Sequence, residues 1–170
     1  MKKGKFKYIL IIVLLFIIIL LFILDYNFIA STMNCDSVVL KSAEQTYYQD
    51  RVSWIPDDKA IKFFEYKIGN YLLKEYILSF FIRNEETSHP THIFYVIKNL
   101  KSYKRQYLGV TIDGKKILHC NCLLINHKSL LDLEDVWKFH YIDVCDGGPR
   151  FWKIDFDMSR KQFQSLFIHM

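Results

Sequence analysis

The chain has 170 residues, 51% of them hydrophobic and 16% aromatic, with a formal net charge of +5. Fourteen Phe, eleven Tyr and three Trp suffice to fill a core, which excludes an intrinsically disordered chain. Lys2, Lys3, Lys5, Lys7 and Asp25 account for +3 of the charge, leaving 19 Lys and Arg against 17 Asp and Glu. So balanced a remainder is a poor match for a polyanion, and no nucleic-acid partner is expected.

Taken in order, the chain begins with the four lysines and then Tyr8 to Leu24, YILIIVLLFIIILLFIL. As a helix these apolar residues reach roughly 25 Å, near the thickness of a bilayer's hydrocarbon core. The run predicts an N-terminal transmembrane helix, with the lysines holding the amino terminus in the cytoplasm. Cleavage is disfavoured: a cut after Ala30 puts bulky Phe28 at the third position back, and a cut after Ser31 puts Ile29 there. Lipidation at Cys35 is disfavoured by the Asn34 that precedes it. The expected organisation is a basic tail and signal-anchor over residues 1–28, then one extracytoplasmic domain over 29–170. The expected location is the cell inner membrane, single-pass, with the carboxyl-terminal domain periplasmic or extracellular.

Residues 29–56 are mixed, with an apolar patch at Val38-Val39-Leu40 and an aromatic one at Tyr47-Tyr48. Pro56-Asp57-Asp58 reads as a helix start. Ile61, Phe64, Ile68, Leu72 and Phe80 follow at helical spacing, to an end near Arg83. Gly69-Asn70 leaves open a break into two helices. His92 to Ile97 fits a strand or a helical turn. Gln106 to Ile112 alternates as a strand, Asp113-Gly114 is a type I′ turn pair, and Lys116 to Leu124 returns. Further strands are predicted at Tyr141 to Cys145, Phe151 to Asp157 and Gln162 to Ile168, with a turn at Asp146-Gly147-Gly148-Pro149. Trp152, Ile154 and Phe156 should face the core, and Lys153 and Asp155 the solvent. The fold class is α+β, one or two helices packed on an antiparallel β-meander.

Three constellations invite chemical readings. His119-Cys120-Asn121-Cys122 with His127 suggests zinc, but strand alternation turns His119 away from the cysteines. His140, Asp143, Cys145 and Asp146 suggest a thiol nucleophile beside a glycine turn, though alternation separates His140 from Cys145. Asp155-x-Asp157-x-Ser159 resembles the start of a calcium loop, but Arg160 and Leu166 stand where glycine and glutamate are needed. No catalytic, cofactor-binding or metal-ligating residue is assigned, and no cofactor is expected. A disulfide is expected in an oxidising compartment, most readily from Cys145 to Cys120 or Cys122, with Cys35 taking the other or staying free. Lys98, Lys101, Lys104 and Arg105, interleaved with Tyr103, form a local basic patch able to meet anionic headgroups or an acidic partner.

Arg105-Gln106-Tyr107-x-Gly109, the hairpin, and Cys145-Asp146-Gly147-Gly148-x-x-Phe151-Trp152 with Asp157 resemble a pattern of small exported or membrane-anchored bacterial proteins without a known activity. The resemblance covers roughly residues 52–168, with Trp54-Ile55-Pro56 and Glu65 as further matches. Those proteins often end in Asn-Gly, whereas this chain ends Phe167-Ile168-His169-Met170. The resemblance implies the domain's extent and no chemistry. The function expected from the sequence is an anchored, extracytoplasmic, non-enzymatic domain that binds a protein or an envelope component, such as a toxin to be neutralised. The membrane, through Tyr8–Leu24, and a protein are its expected partners. The alternative is an envelope enzyme using a Cys/His site around Cys145.

Overall fold

The computed structural model describes residues 8, 12–13, 15–16, 35–41, 52–81, 90–125 and 136–168. Among them no helix is long and apolar enough to cross a membrane, which corrects the expected N-terminal transmembrane helix. Apart from positions 8, 12–13 and 15–16, the run 8–24 lies outside the described residues, as do Tyr47, Tyr48, Arg83 and His127.

The α+β class holds. A first strand β1 (Ser37–Val39) and a second, β2 (Val52–Trp54), precede helices α1 (Asp58–Leu78) and α2 (Pro90–Lys98). After a 3-10 turn at Leu100–Ser102 come β3 (Lys104–Ile112) and β4 (Lys115–Leu123). A second 3-10 turn, Gly148–Arg150, leads into β5 (Phe151–Asp157) and β6 (Gln162–Ile168). The sheet order is β1-β3-β4-β5-β6, with β2 also pairing β3. From β3 to β6 the sheet is the expected antiparallel meander. The antiparallel description is corrected at β1, which runs parallel to β3 in the register Ser37↔Arg105 to Val39↔Tyr107. A parallel neighbour needs a long crossover, and α1 and α2 lie within it.

Asp57 caps α1, its Oδ1 accepting the Ala60 N–H at 2.8 Å. The helix does not break at Gly69-Asn70. Its inner stripe of Phe64, Ile68 and Leu72 is fully buried, and that burial outweighs the roughly 1 kcal/mol a mid-helix glycine costs. It ends at Leu78, earlier than expected, so Phe80 and Phe81 stand in the following turn. The undecided segment around His92 to Ile97 is helical, with Ile93 and Val96 facing inward.

The helices cover one face of the sheet. Their apolar stripe packs on Tyr107, Leu118, Cys120, Cys122, Trp152, Ile154 and Phe156 in one continuous core. Phe64 meets Tyr107, Phe156 and Phe163 edge to face. Into this core the sequence inserts a charge: Arg105 is fully buried, pairing through Nη1 with Glu65 and donating from Nη2 to the Leu100 carbonyl at 3.0 Å. The Tyr107 hydroxyl donates to the other oxygen of Glu65. Burial alone would lower the Arg105 pKa, but Tyr107 and Glu65 hold the proton and the net shift is upward. The cluster ties the middle of α1 to β3.

The hairpin is as read. Asp113 and Gly114 both have positive φ, 49° and 72°, as a type I′ turn requires. The segment Tyr141 to Cys145 is corrected: it is not a strand but part of an irregular strap, residues 136–150, whose stretch from Trp137 to Asp143 lies over the sheet face opposite the helices, while the Pro149 carbonyl accepts from Tyr103 on the helix side. Because of that strap the far face is not wet. Trp152, Ile154 and Phe156 are core as expected, but Asp155, expected in solvent, is only 6% exposed. Lys153 is half-buried.

Candidate functional site

On the strap-covered face the strand register lines polar side chains into two rows. Gln106, Asn121 and Lys153 are direct cross-strand neighbours, as are Leu108, His119 and Asp155. The first row holds the strap by its backbone. Gln106 Nε2 donates to the carbonyls of Trp137 at 2.6 Å and His140 at 2.7 Å, and its Oε1 accepts the Ile142 N–H at 3.0 Å. Asn121 Nδ2 donates to Gln106 Oε1 at 2.9 Å and to the Ile142 carbonyl at 2.7 Å. Lys153 reaches Asp143 at 2.6 Å.

The second row is the titratable one. His119, 2% exposed, has Nδ1 2.7 Å from Asp155 Oδ1 and Nε2 2.9 Å from the hydroxyl of Tyr141 on the strap. A histidine between a carboxylate and a phenol has the connectivity of a proton relay. It also pins the strap, and with the first row it gives residues 137–143 four side-chain anchors, Gln106 on β3, His119 and Asn121 on β4 and Lys153 on β5. The sequence assigned His119 to a zinc reading and Asp155 to calcium or solvent. The structure instead brings these two together across 36 residues of sequence.

The remaining sequence candidates disperse. Cys120 and Cys122 are fully buried on the helix-facing side, with their sulfurs 3.5 Å apart, in contact but not bonded. Burial and the adjacent Cys122 push the Cys120 thiol well above its ordinary pKa. Cys35 is half-buried near the Leu100 carbonyl, its pKa pushed up to about 11 mainly by burial. Cys145 is exposed, and no disulfide joins any two of the four cysteines. His140, Asp143 and Asp146 are exposed on the strap, while His119, which has a carboxylate partner, faces Tyr141 and not Cys145. Asp157 accepts the N–H groups of Ser159 and Arg160 at 2.8 Å each, closing the β5–β6 turn where a calcium loop was considered. Among the described residues no group of three His, Cys, Asp or Glu is arranged to hold a metal ion.

Glycine positions in this region have steric reasons. A Cβ on Gly147 would enter the ring of Phe151, and one on Gly109 would enter the carbonyl and indole of Trp54. Gly148 has φ +58° and Asp146 φ +61°, both left-handed. The proposed basic patch splits: Arg105 and Tyr103 are buried, Lys104 lies 5.1 Å over the Trp137 ring, and Lys98 and Lys101 stay exposed.

A second surface was not legible beforehand. On the outer face of α1, Tyr66, Leu73 and Ile77 are exposed at helical spacing, and the turn beyond adds Phe80, 61% exposed, and Phe81, 80% exposed. Phe94 and Tyr95 of α2 are exposed beside them. Tyr76 joins the two helices' contributions, its ring centroid 5.0 Å from Phe80 and 5.7 Å from Phe94. A shallow depression of about 300 Å3, lined by Asn70, Leu73, Lys74, Ile77 and Leu78, opens on this ridge. No family model, curated protein or solved structure matches the chain.

Proposed function

We propose that the protein is a non-enzymatic interaction domain working outside the cytoplasm at the cell envelope, with the aromatic ridge of α1 and α2 as its contact face. The observation that carries this reading is the continuity of Ile77, Phe80 and Phe94, large apolar side chains left facing water and joined through the half-buried ring of Tyr76. Contiguous exposed apolar surface marks an interaction site, and aromatic side chains supply most contact energy per residue. The lysine-led apolar run 8–24 supports an envelope location. Capture of a harmful protein, as in toxin neutralisation, is one role such a face serves.

A photo-crosslinking residue at Phe81 tests the reading in cells, with the same residue at Asp113 in the β3–β4 turn as control. An adduct at position 81 and none at 113 is expected. A second reading, an enzyme centred on Tyr141, draws on the His119–Asp155 pair. It takes over if Phe80→Ser/Phe81→Ser cells match the wild type while Tyr141→Phe, folded, loses the cellular phenotype.

A further inference from the structure

The ridge is not merely apolar; among the described residues, exposed lysines lie along it. Lys59 and Lys62 stand before Tyr66 on the exposed side of α1, and Lys74 lines the shallow depression with Leu73 and Ile77. On α2, Thr91, Phe94, Tyr95 and Lys98 are exposed on one face, and exposed Lys101 follows in the 3-10 turn. On α1 itself, Glu75 is half-buried and engaged with Tyr71, whose pKa is raised by burial first and by Glu75 second.

Resting on the interaction-domain reading, we infer that this face docks on the headgroup region of an anionic bilayer, with Phe80, Phe81 and Phe94 entering the acyl boundary and Lys74, Lys98 and Lys101 meeting phosphates. Three observations select a membrane over a protein partner. The aromatic residues cluster where one helix ends, in a turn whose tip, Phe81, is the most exposed of them, which suits shallow insertion. The depression among them is open and shallow, a poor socket for a protein side chain but no obstacle to a fluid surface. Among the described residues, exposed Lys74 and Lys98 flank Leu73, Ile77 and Phe94, with Lys101 following, and anionic headgroups attract each such lysine within a Debye length.

The test uses the full chain reconstituted into vesicles, with Phe81→Trp as reporter. Trp137 and Trp152 are buried and Trp54 is half-buried, so the wild-type chain supplies the background to subtract. In vesicles containing brominated phosphatidylglycerol, the added emission should be blue-shifted and quenched by about half or more. Phosphatidylcholine vesicles with brominated chains should quench it much less. Lys98→Glu/Lys101→Glu should weaken the docked state by about tenfold or more, read as lost quenching. Circular dichroism and melting of each variant establish that it is folded. A Phe81→Trp emission that stays red-shifted, open to acrylamide and indifferent to brominated lipid overturns the inference. If position 81 then crosslinks to a protein, the interaction-domain reading stands with a protein in the bilayer's place. If it neither crosslinks nor quenches, both readings fall.

Discussion

Replacing Glu65 by leucine removes a carboxylate paired with a guanidinium that is wholly shut off from water. Two costs follow from the contacts. Stripping one partner from a buried ion pair costs about 3–5 kcal/mol, because the remaining charge cannot recover its hydration. The Tyr107 hydroxyl, also fully buried, loses its acceptor, at about 1–3 kcal/mol. These overlap, so about 4 kcal/mol or more is expected, a large share of the roughly 5–15 kcal/mol that holds a domain folded. The contact of Arg105 with the Leu100 carbonyl does not compensate, since a neutral dipole replaces a full charge. Adding Arg105→Met to Glu65→Leu removes the stranded cation and should recover at least about 2 kcal/mol, a coupling that a double-mutant cycle isolates. Urea titrations followed by tryptophan fluorescence measure all three variants. A cost for Glu65→Leu alone below about 1 kcal/mol, or strict additivity in the double variant, would refute the account of α1 as electrostatically pinned to β3.

Tyr141→Phe should cost about 0.5–1.5 kcal/mol and speed proteolysis within residues 136–150, while Asp155→Ala should cost about 1–3 kcal/mol by leaving His119 without its carboxylate. Thermal melts and limited digestion check both, and a fully neutral Asp155→Ala would mean the strand is more solvated than its burial states. Gly147→Ala should destabilise more than Gly148→Ala, the first through collision with Phe151 and the second through about 1 kcal/mol of left-handed strain. Burial lifts the Cys35 thiol from 9.0 to about 11, and burial together with Glu75 lifts Tyr71 from 10.0 to about 12. The fold then binds these protons more tightly than the unfolded chain does. Their contribution is complete below about pH 9 and is lost as the pH climbs through 9 to 12, so urea midpoints should fall across that window.

Local rules carried much of this fold. The Asp113-Gly114 turn, the cap at Asp57 and the alternation of Trp152, Ile154 and Phe156 are each decided within a few residues. Asp155 failed for a reason alternation cannot see: the second face of the sheet is covered by a strap with almost no regular structure, and the carboxylate's partner lies on another strand. The His119–Asp155–Tyr141 contact was therefore hidden, because it joins three segments that the sequence keeps apart. Phe80 illustrates the opposite error. Its spacing from Leu72 matched a helical core position, but α1 stops at Leu78, and two residues past a helix end the angular bookkeeping no longer applies. The rest of the ridge went unread, since apolar residues on both faces of α1 blur its periodicity.

The parallel seam between β1 and β3 has a consequence for assembly in time. Ser37 pairs with Arg105, sixty-eight positions later, whereas β3 to β6 are joined by hairpins or a single strap. A chain emerging amino terminus first presents β1 long before its partner strand exists. Contacts so distant in sequence are slow to form, so the meander and its helices should take shape first. The strand nearest the leading end then docks last, as the closing stitch. Newly made copies in which that stitch is missing would keep a bare edge along Arg105, Gln106 and Tyr107, the stretch most in need of shelter until the domain is whole.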